Sequence, residues 1–366
     1  MNETKKLRIA VIGQGRSGRN IHGVFFRSEE NTLFEVAYVV EADPARRERA
    51  EQEYPGCITL CRPSDLYGIE GIDLVVNTSY SDTHYSITYD LLKHGFNVLV
   101  EKPFAKTLSE CEILIALAKE KGLTLAVFQQ TFLAPIYTQA VEVLESGKIG
   151  RLLQASIHYN GFGRRWDWQT IQVRMAGSIY NTGPHPIGMG LGFLGFDPET
   201  RLVASKLDLA FTSGDAEDYA KLVFTAPGKA LVDVETISCD PFNDYTVKLI
   251  GTKGTYQSNY TDYKIKYIVD GENPPRPVEF ASLKNEEGKP AYCGETLIFH
   301  EEEGKLGGSA FDVAVKRFYE ELYAKITRGE PMTVLPEHAA QVISIIEQAH
   351  AQNPLPVVYT STNSEV

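Results

Sequence analysis

Leu7-Arg8-Ile9-Ala10-Val11-Ile12 is a nearly continuous apolar run that feeds directly into Gly13-Gln14-Gly15-Arg16-Ser17-Gly18, and helical spacing follows at Ile21, Val24 and Phe25. A strand, a glycine turn and a helix in that order constrain the fold more than any other stretch of the chain. Gly13 permits the tight turn, Gly15 lets a pyrophosphate approach the backbone, and Gly18 allows close packing of helix on sheet. The anion would rest on the free N–H groups of the helix start. Gln14, Arg16 and Ser17 stand between these glycines and join them as candidates for holding a dinucleotide. Arg16 can reach a phosphate, or it can be an ordinary exposed helix residue.

The second apolar run, Val36 to Val40, ends at Glu41, 23 residues after Gly18. An acidic side chain at about that distance accepts the adenosine ribose hydroxyls and repels a 2′-phosphate. NAD(H) is therefore favoured, while Arg46 and Arg47 nearby leave NADP(H) open, and Glu41 or Asp43 can instead only start the next helix. Asp73 to Thr78 forms a third core strand, and the polar loop Ser79 to Thr83 sits at its carboxyl end. Thr78, Ser79 and His84 are cofactor candidates there. Thr78 can equally satisfy backbone groups, and His84, which opens a helix running to His94, can equally cap or pack.

Val98-Leu99-Val100-Glu101-Lys102-Pro103-Phe104 is an apolar run cut off by a charged pair and a proline. Its last side chains lie at a strand's carboxyl end, where open parallel sheets bind ligands. Lys102 there can hold a substrate oxygen and help move its proton; an X-Pro bond is also the ordinary site of a cis peptide. Thr107-Leu108-Ser109-Glu110 has the spacing of a capping box, and Leu123 to Phe128 supplies another strand. Strands alternating with helices imply a doubly wound parallel sheet over residues 1–128.

The rhythm then changes. A helix is expected from Ile136 to Glu145 and a strand from Leu152 to Tyr159, followed by an irregular segment over 160–192 of the kind that walls a site. Six two-period runs between Leu202 and Val269 predict a large open antiparallel sheet whose outer face, with Val232 and Val234, is a candidate subunit interface. Residues 271–308 read as loops around one short strand, and two helices complete an α+β substrate and oligomerisation domain over 129–352. A C-terminal tail over 353–366 ends in a polar Thr-Ser-Thr-Asn-Ser run that is expected to fray.

Within the irregular segment, Gly177 to His185 gathers polar groups among glycines. If Ser178 to Gly192 forms a helix, Asn181 and His185 share one face. His185 can then take a hydroxyl proton as hydride leaves carbon, with Lys102 supplying positive field or relaying the proton. Asn181 can hydrogen-bond but cannot exchange a proton. Arg164-Arg165-Trp166-Asp167-Trp168 can supply a bidentate clamp and a flat apolar face for a sugar-like ring, or simply anchor the loop with two buried indoles.

Lys plus Arg number 36 against 48 Asp plus Glu, a net charge of −12 without a basic stripe, which disfavours nucleic acid and anionic membranes as partners. Five cysteines without a close pair point to a reducing compartment and no structural zinc. The absence of a signal-peptide core or an 18-residue apolar window adds the expectation of a soluble cytoplasmic protein.

These residues together resemble the glucose-fructose oxidoreductase / inositol dehydrogenase family (Gfo/Idh/MocA). The likeness is carried by Gly13, Gly15 and Gly18; Glu41; Thr78 and His84; Glu101-Lys102-Pro103; Asp167-Trp168; Gly183 and His185; and Gly251-Thr252-Lys253-Gly254. It implies a Rossmann domain followed by a domain with an open antiparallel sheet, homodimers or homotetramers joined through that sheet, and metal-free NAD(P)-dependent chemistry at a carbinol of a sugar, inositol or related polyol. It also implies that Lys102 and His185 are the catalytic pair. Asn181 stands where many members have an aspartate, and Thr131 where sugar-oxidising members often have an arginine. The alternative is a cofactor-binding sensor that has lost turnover.

Overall fold

Short, wholly apolar strands can be buried on both faces only if helices cover them, and the first part of the chain is built that way. The structure is a computed structural model describing residues 5–360. In chain order it runs β1 (Leu7–Ile12), a π-helical turn (Gly18–His22) continuing into α1 (Gly23–Phe26), β2 (Phe34–Val40), α2 (Pro44–Glu53), β3 (Ile58–Leu60), β4 (Leu74–Asn77), α3 (His84–Lys93), β5 (Val98–Glu101), α4 (Leu108–Lys121) and β6 (Leu125–Phe128). The strands pair in the order β3-β2-β1-β4-β5-β6, all parallel. The order reverses between β1 and β4, which opens a crevice at their carboxyl ends. The sequence reading passed over β3, whose three residues are too short to show a period. It also placed Val24 on the packed helix face, whereas the wider π turn leaves Val24 exposed and buries Phe25.

The capping box of α4 forms as its spacing predicts: Thr107 accepts the Glu110 N–H and the Glu110 carboxylate accepts the Thr107 N–H. Gly122 ends that helix in the left-handed region at φ 64°.

The remaining elements are α5 (Pro135–Glu145), β7 (Leu152–His158), α6 (Ser178–Asn181), α7 (Pro184–Phe193), β8 (Arg201–Asp208), β9 (Tyr219–Thr225), β10 (Leu231–Ile237), β11 (Val247–Gly251), β12 (Gly254–Ser258), β13 (Asp262–Tyr267), β14 (His300–Lys305), α8 (Val313–Arg328) and α9 (Pro336–Gln352). Their eight strands pair in the order β14-β13-β12-β11-β7-β10-β9-β8. Every pairing is antiparallel except β7 with β10, so the sheet is mixed at its centre rather than wholly antiparallel.

One face of this sheet is the core face, and Val232 and Val234 lie on it, essentially fully buried. That corrects their expected place on an outer interface. A Cβ on Gly190 would come within 2.6 Å of Val232 and 2.8 Å of Phe224, so the glycine lets α7 lie directly on β9 and β10. The opposite face is polar. Lys221 Nζ donates to Asp233 at 2.9 Å and Glu235 at 2.6 Å, His158 lies 3.3 Å from Asp233, and Ser156 donates to Asp233 at 2.6 Å. Burial opposes ionisation of Asp233, but His158, Ser156 and Lys221 outweigh it and hold the carboxyl far below its ordinary range.

The described part of the C-terminal tail, residues 353–360, is docked. Asp215, fully buried, accepts N–H groups from Gln172 at 2.9 Å, Val358 at 2.8 Å and Tyr359 at 3.1 Å. The polar end beyond Thr360 lies outside the described residues. Asp215→Ala removes the acceptor for all three and should cost about 1–3 kcal/mol of stability in urea unfolding. Limited proteolysis should release the tail faster than from the parent; equal rates would show that the tail is held elsewhere.

Candidate functional site

A cavity of about 610 Å³ opens at the carboxyl ends of β1, β2, β4 and β5. Its walls include Gly13, Gly15, Arg16, Ser17, Glu41, Thr78, Ser79, His84, Glu101 and Lys102 from the parallel-sheet side, with Asp167, Trp168 and Asn181 from the irregular segment. Most candidates named from sequence therefore meet in one space. Gly13 has φ 91°, and a Cβ on it would sit 2.7 Å from the Thr78 carbonyl oxygen. Gly15 has nothing within 4 Å of where a Cβ would lie, so its backbone faces open space, as the pyrophosphate reading requires. A Cβ on Gly18 would collide with the Gly13 carbonyl.

Glu41 projects from the end of β2 into this cavity wall, but its oxygens are engaged. Oε2 accepts the Gln14 N–H at 2.7 Å and Oε1 the Asp43 N–H at 3.1 Å, with Arg46 at 3.7 Å. Gln14 is buried and does not line the cavity; its backbone N–H is what braces Glu41. The Thr78 hydroxyl donates to the Ile12 carbonyl at 2.6 Å, tying the ends of β4 and β1 together. His84 is buried with Nδ1 2.7 Å from the Pro103 carbonyl and Nε2 3.1 Å from that of Ser79. Burial pushes its pKa down, in keeping with a packing histidine that braces the loop after Lys102.

Lys102 follows β5, and the Lys102–Pro103 peptide is cis. Its Nζ donates to the Asn181 backbone carbonyl at 2.7 Å. Burial lowers its pKa, the Glu101 carboxylate pulls it back up, and Arg16 and Arg165 lower it again. Beneath it, Glu101 is buried and receives His22 Nε2 at 3.0 Å, while His22 Nδ1 meets the Tyr319 hydroxyl at 2.6 Å. Burial opposes the Glu101 charge, but hydrogen bonding and charge from His22, then Lys102, bring its pKa to about 2.

The expected pairing of Asn181 with His185 does not form. Thr182 and Gly183 interrupt the helix, leaving Asn181 at the end of α6 and His185 at the start of α7. The Asn181 side-chain oxygen instead accepts from Gln169 Nε2 at 2.6 Å, and His185 Nδ1 lies 2.5 Å from the Thr131 hydroxyl. His185 is half-buried and outside the set of residues that line the cavity. Burial of the imidazole and then the neighbouring Lys102 charge push its pKa to about 3.

Trp166 is exposed and Arg164 lies over the Phe211 ring at 4.9 Å; neither lines the cavity, and neither is a buried anchor. Arg165 and Gln169 line it instead, with Arg165 donating to Asp167 at 2.7 Å. Of the run Arg164 to Trp168, Arg165, Asp167 and Trp168 face the cavity, and Gln169, which no sequence signal singles out, joins them on the turn made by residues 168–170.

Residues 7–129 match the oxidoreductase family with an NAD-binding Rossmann fold, GFO/IDH/MocA, and residues 137–257 match the GFO/IDH/MocA C-terminal domain. The chain belongs to the GFO/IDH/MocA oxidoreductase family. An uncharacterized oxidoreductase of Schizosaccharomyces pombe is 27% identical over 281 residues, 74% of this chain and 75% of its own. A scyllo-inositol 2-dehydrogenase (NADP(+)) of Bacillus subtilis is 21% identical over 351 residues, 94% of this chain and 92% of its own. The crystal structure of GenD2 from gentamicin A biosynthesis in complex with NAD shares the fold, with a TM-score of 0.76 and 19% identity over 98% of both chains. Within this GFO/IDH/MocA member, no described helix is long and apolar enough to cross a membrane.

Because the folded pKa of Glu101 lies near 2 against an ordinary 4.5, its contribution to stability is fully present above about pH 4.5 and is lost as pH falls toward 2. Urea unfolding of Glu101→Gln should therefore show a deficit near neutrality that narrows over that acid window. A deficit independent of pH would show that the charge does not matter.

Proposed function

We propose that the protein is an NAD(P)-dependent dehydrogenase or reductase, with NAD(H) favoured, acting at a carbinol or carbonyl carbon of a sugar, inositol or related polyol. The observation that carries this reading is the shared cavity wall: the glycine turn, Glu41 and the half-buried Lys102 border one space. The open backbone at Gly15 suits a pyrophosphate, and Glu41 at the far end suits a ribose diol. When bound, nicotinamide would accept or supply hydride. The chain's own part is to hold the substrate oxygen and move its proton, and Lys102 and His185 are the groups assigned to that oxygen.

Lys102 suits the work because burial lowers its pKa toward the range in which an amine both gives and takes protons. Asn181 supplies a backbone carbonyl that holds the lysine head group. Asp167 and Trp168 give the cavity a carboxylate and an indole for binding a polyol. Arg46, 3.7 Å from Glu41, is the group that would favour NADP(H) if it displaced the carboxylate. The names of the relatives include both cofactors, so the preference rests on Glu41. The protein is read as a homodimer or homotetramer, and the assembling surface would be the polar face carrying Lys221 and Asp233 rather than an apolar one.

Calorimetric titration should show tighter binding of NAD(H) than NADP(H), with the gap narrowing in Glu41→Ser; equal or tighter NADP(H) binding in the parent overturns the preference. In single-turnover assays against a polyol and sugar panel, Lys102→Met should slow hydride transfer by about 10²-fold or more while cofactor affinity changes little. Near-parental transfer would discard its role, and binding without transfer to any substrate would favour a cofactor-dependent sensor.

A further inference from the structure

Thr131 lies on the turn Gln130–Leu133 that follows β6, buried, with its hydroxyl oxygen 2.5 Å from His185 Nδ1. Among the described residues this is the hydroxyl's one hydrogen bond, and no protein group is bonded to His185 Nε2. No carboxylate reaches Nδ1. Glu101 is taken by His22 and by the Lys102 N–H, and the Asn181 side-chain oxygen by Gln169.

An imidazole that stays neutral carries one proton on one of two nitrogens, and its partner at Nδ1 decides which. A carboxylate could only accept, which would put the proton on Nδ1 and leave Nε2 as a base. A hydroxyl can do either. If Nδ1 donated to Thr131, the buried hydroxyl hydrogen would have no acceptor; if the hydroxyl donates, its hydrogen and Nδ1 are both satisfied, and Nε2 carries the ring hydrogen, left for a ligand.

We propose that Thr131 is a positioning residue that donates to His185 Nδ1 and holds the ring as the Nε2–H tautomer, so that His185 donates to the substrate oxygen and Lys102 exchanges the proton. This assignment rests on the dehydrogenase reading, and it reverses the roles expected from sequence. In the reducing direction the hydride for the carbonyl carbon would come from a reduced nicotinamide dinucleotide. The carbonyl oxygen takes a proton from the Lys102 ammonium, the N–H bond breaks, and a neutral amine remains; His185 keeps its proton throughout. In the oxidising direction the alcohol O–H gives its proton to the lone pair of the neutral Lys102 amine, while the hydride leaving carbon would be taken up by an oxidised nicotinamide dinucleotide. The Asn181 carbonyl takes one Lys102 N–H, which leaves that lone pair free to face the cavity. Position adds to the argument, since His185 lies in the first turn of α7, where the helix dipole disfavours an imidazolium. The lowered pKa of His185 agrees with a ring that does not titrate near neutrality.

The test uses the full chain without cofactor. Long-range ¹H–¹⁵N correlation spectra of the histidine rings, assigned by loss of one ring's signals in His185→Gln, report the tautomer directly. The parent and Thr131→Ser should show Nε2–H, and the nearly isosteric Thr131→Val should lose that preference. An Nδ1–H or imidazolium ring in the parent near neutral pH, or an unchanged tautomer in Thr131→Val, overturns the proposal. With a substrate from the panel, Thr131→Val should lower kcat by at least about tenfold with little change in KM, and Thr131→Ser should restore most of it. The parent's kcat should follow a basic group that vanishes in Lys102→Met residual activity, not one that vanishes with His185; the opposite pattern overturns the allocation. Failure of the parent to turn over any substrate would remove the dehydrogenase reading and with it the proton's route, whereas the tautomer is decided by the spectrum alone.

Discussion

The buried carboxylate of Glu101 is the constraint around which the rest is arranged. A charge with almost no access to water survives only with compensating partners, and here they come from three separate parts of the chain. His22 arrives from the turn after the glycine loop, the Lys102 N–H from the next residue, and Tyr319, through His22, from α8. The glycine turn and the end of β5 are thereby fixed to one another and to a helix that comes some 200 residues later in the chain. The Tyr319 ring stacks on Phe25 at 4.7 Å, so the polar junction is enclosed by aromatic packing. Removal of one partner would leave a buried charge unpaired, which is why this junction governs both the cavity's shape and the electrostatics at Lys102.

The two sheets divide the work by polarity. The parallel sheet is apolar on both faces and offers ligands only the ends of its strands, so its chemistry is confined to the turn after β1, Glu41 after β2 and Lys102 after β5. The mixed sheet has one covered face and one polar face. Its contribution to the site is indirect: β9 and β10 support the glycine-rich helix α7, and α7 carries His185 in its first turn. The close contact of α7 on the sheet positions an imidazole next to Thr131, a residue of the buried turn after β6.

Much of the parallel sheet was legible because its signals are local. Apolar strand runs, the glycine spacing, the capping box at Thr107 and the charged end of β5 each act within a few residues, and each forms as the spacing implies. β3 escaped notice because three half-exposed residues make no period. Val232 and Val234 were put on the wrong face because strict alternation says that two faces differ but not which one a helix will cover. Trp166 and Trp168 are two residues apart in an irregular segment, and nothing local says that the first stays in solvent while the second enters the cavity wall.

By itself, the sequence determined the fold family, the doubly wound sheet and the set of groups at its strand ends, since those follow from short-range sterics, hydrogen bonding and apolar period. Only the tertiary structure decided which side chains are partners. Asn181 and His185 are four residues apart, yet the break at Thr182 and Gly183 sends them to Gln169 and Thr131. Glu101 and Tyr319 likewise meet through His22 across most of the chain. Hydrogen bonds of that kind depend on where separately folded elements come to rest, and a one-dimensional spacing holds no record of it.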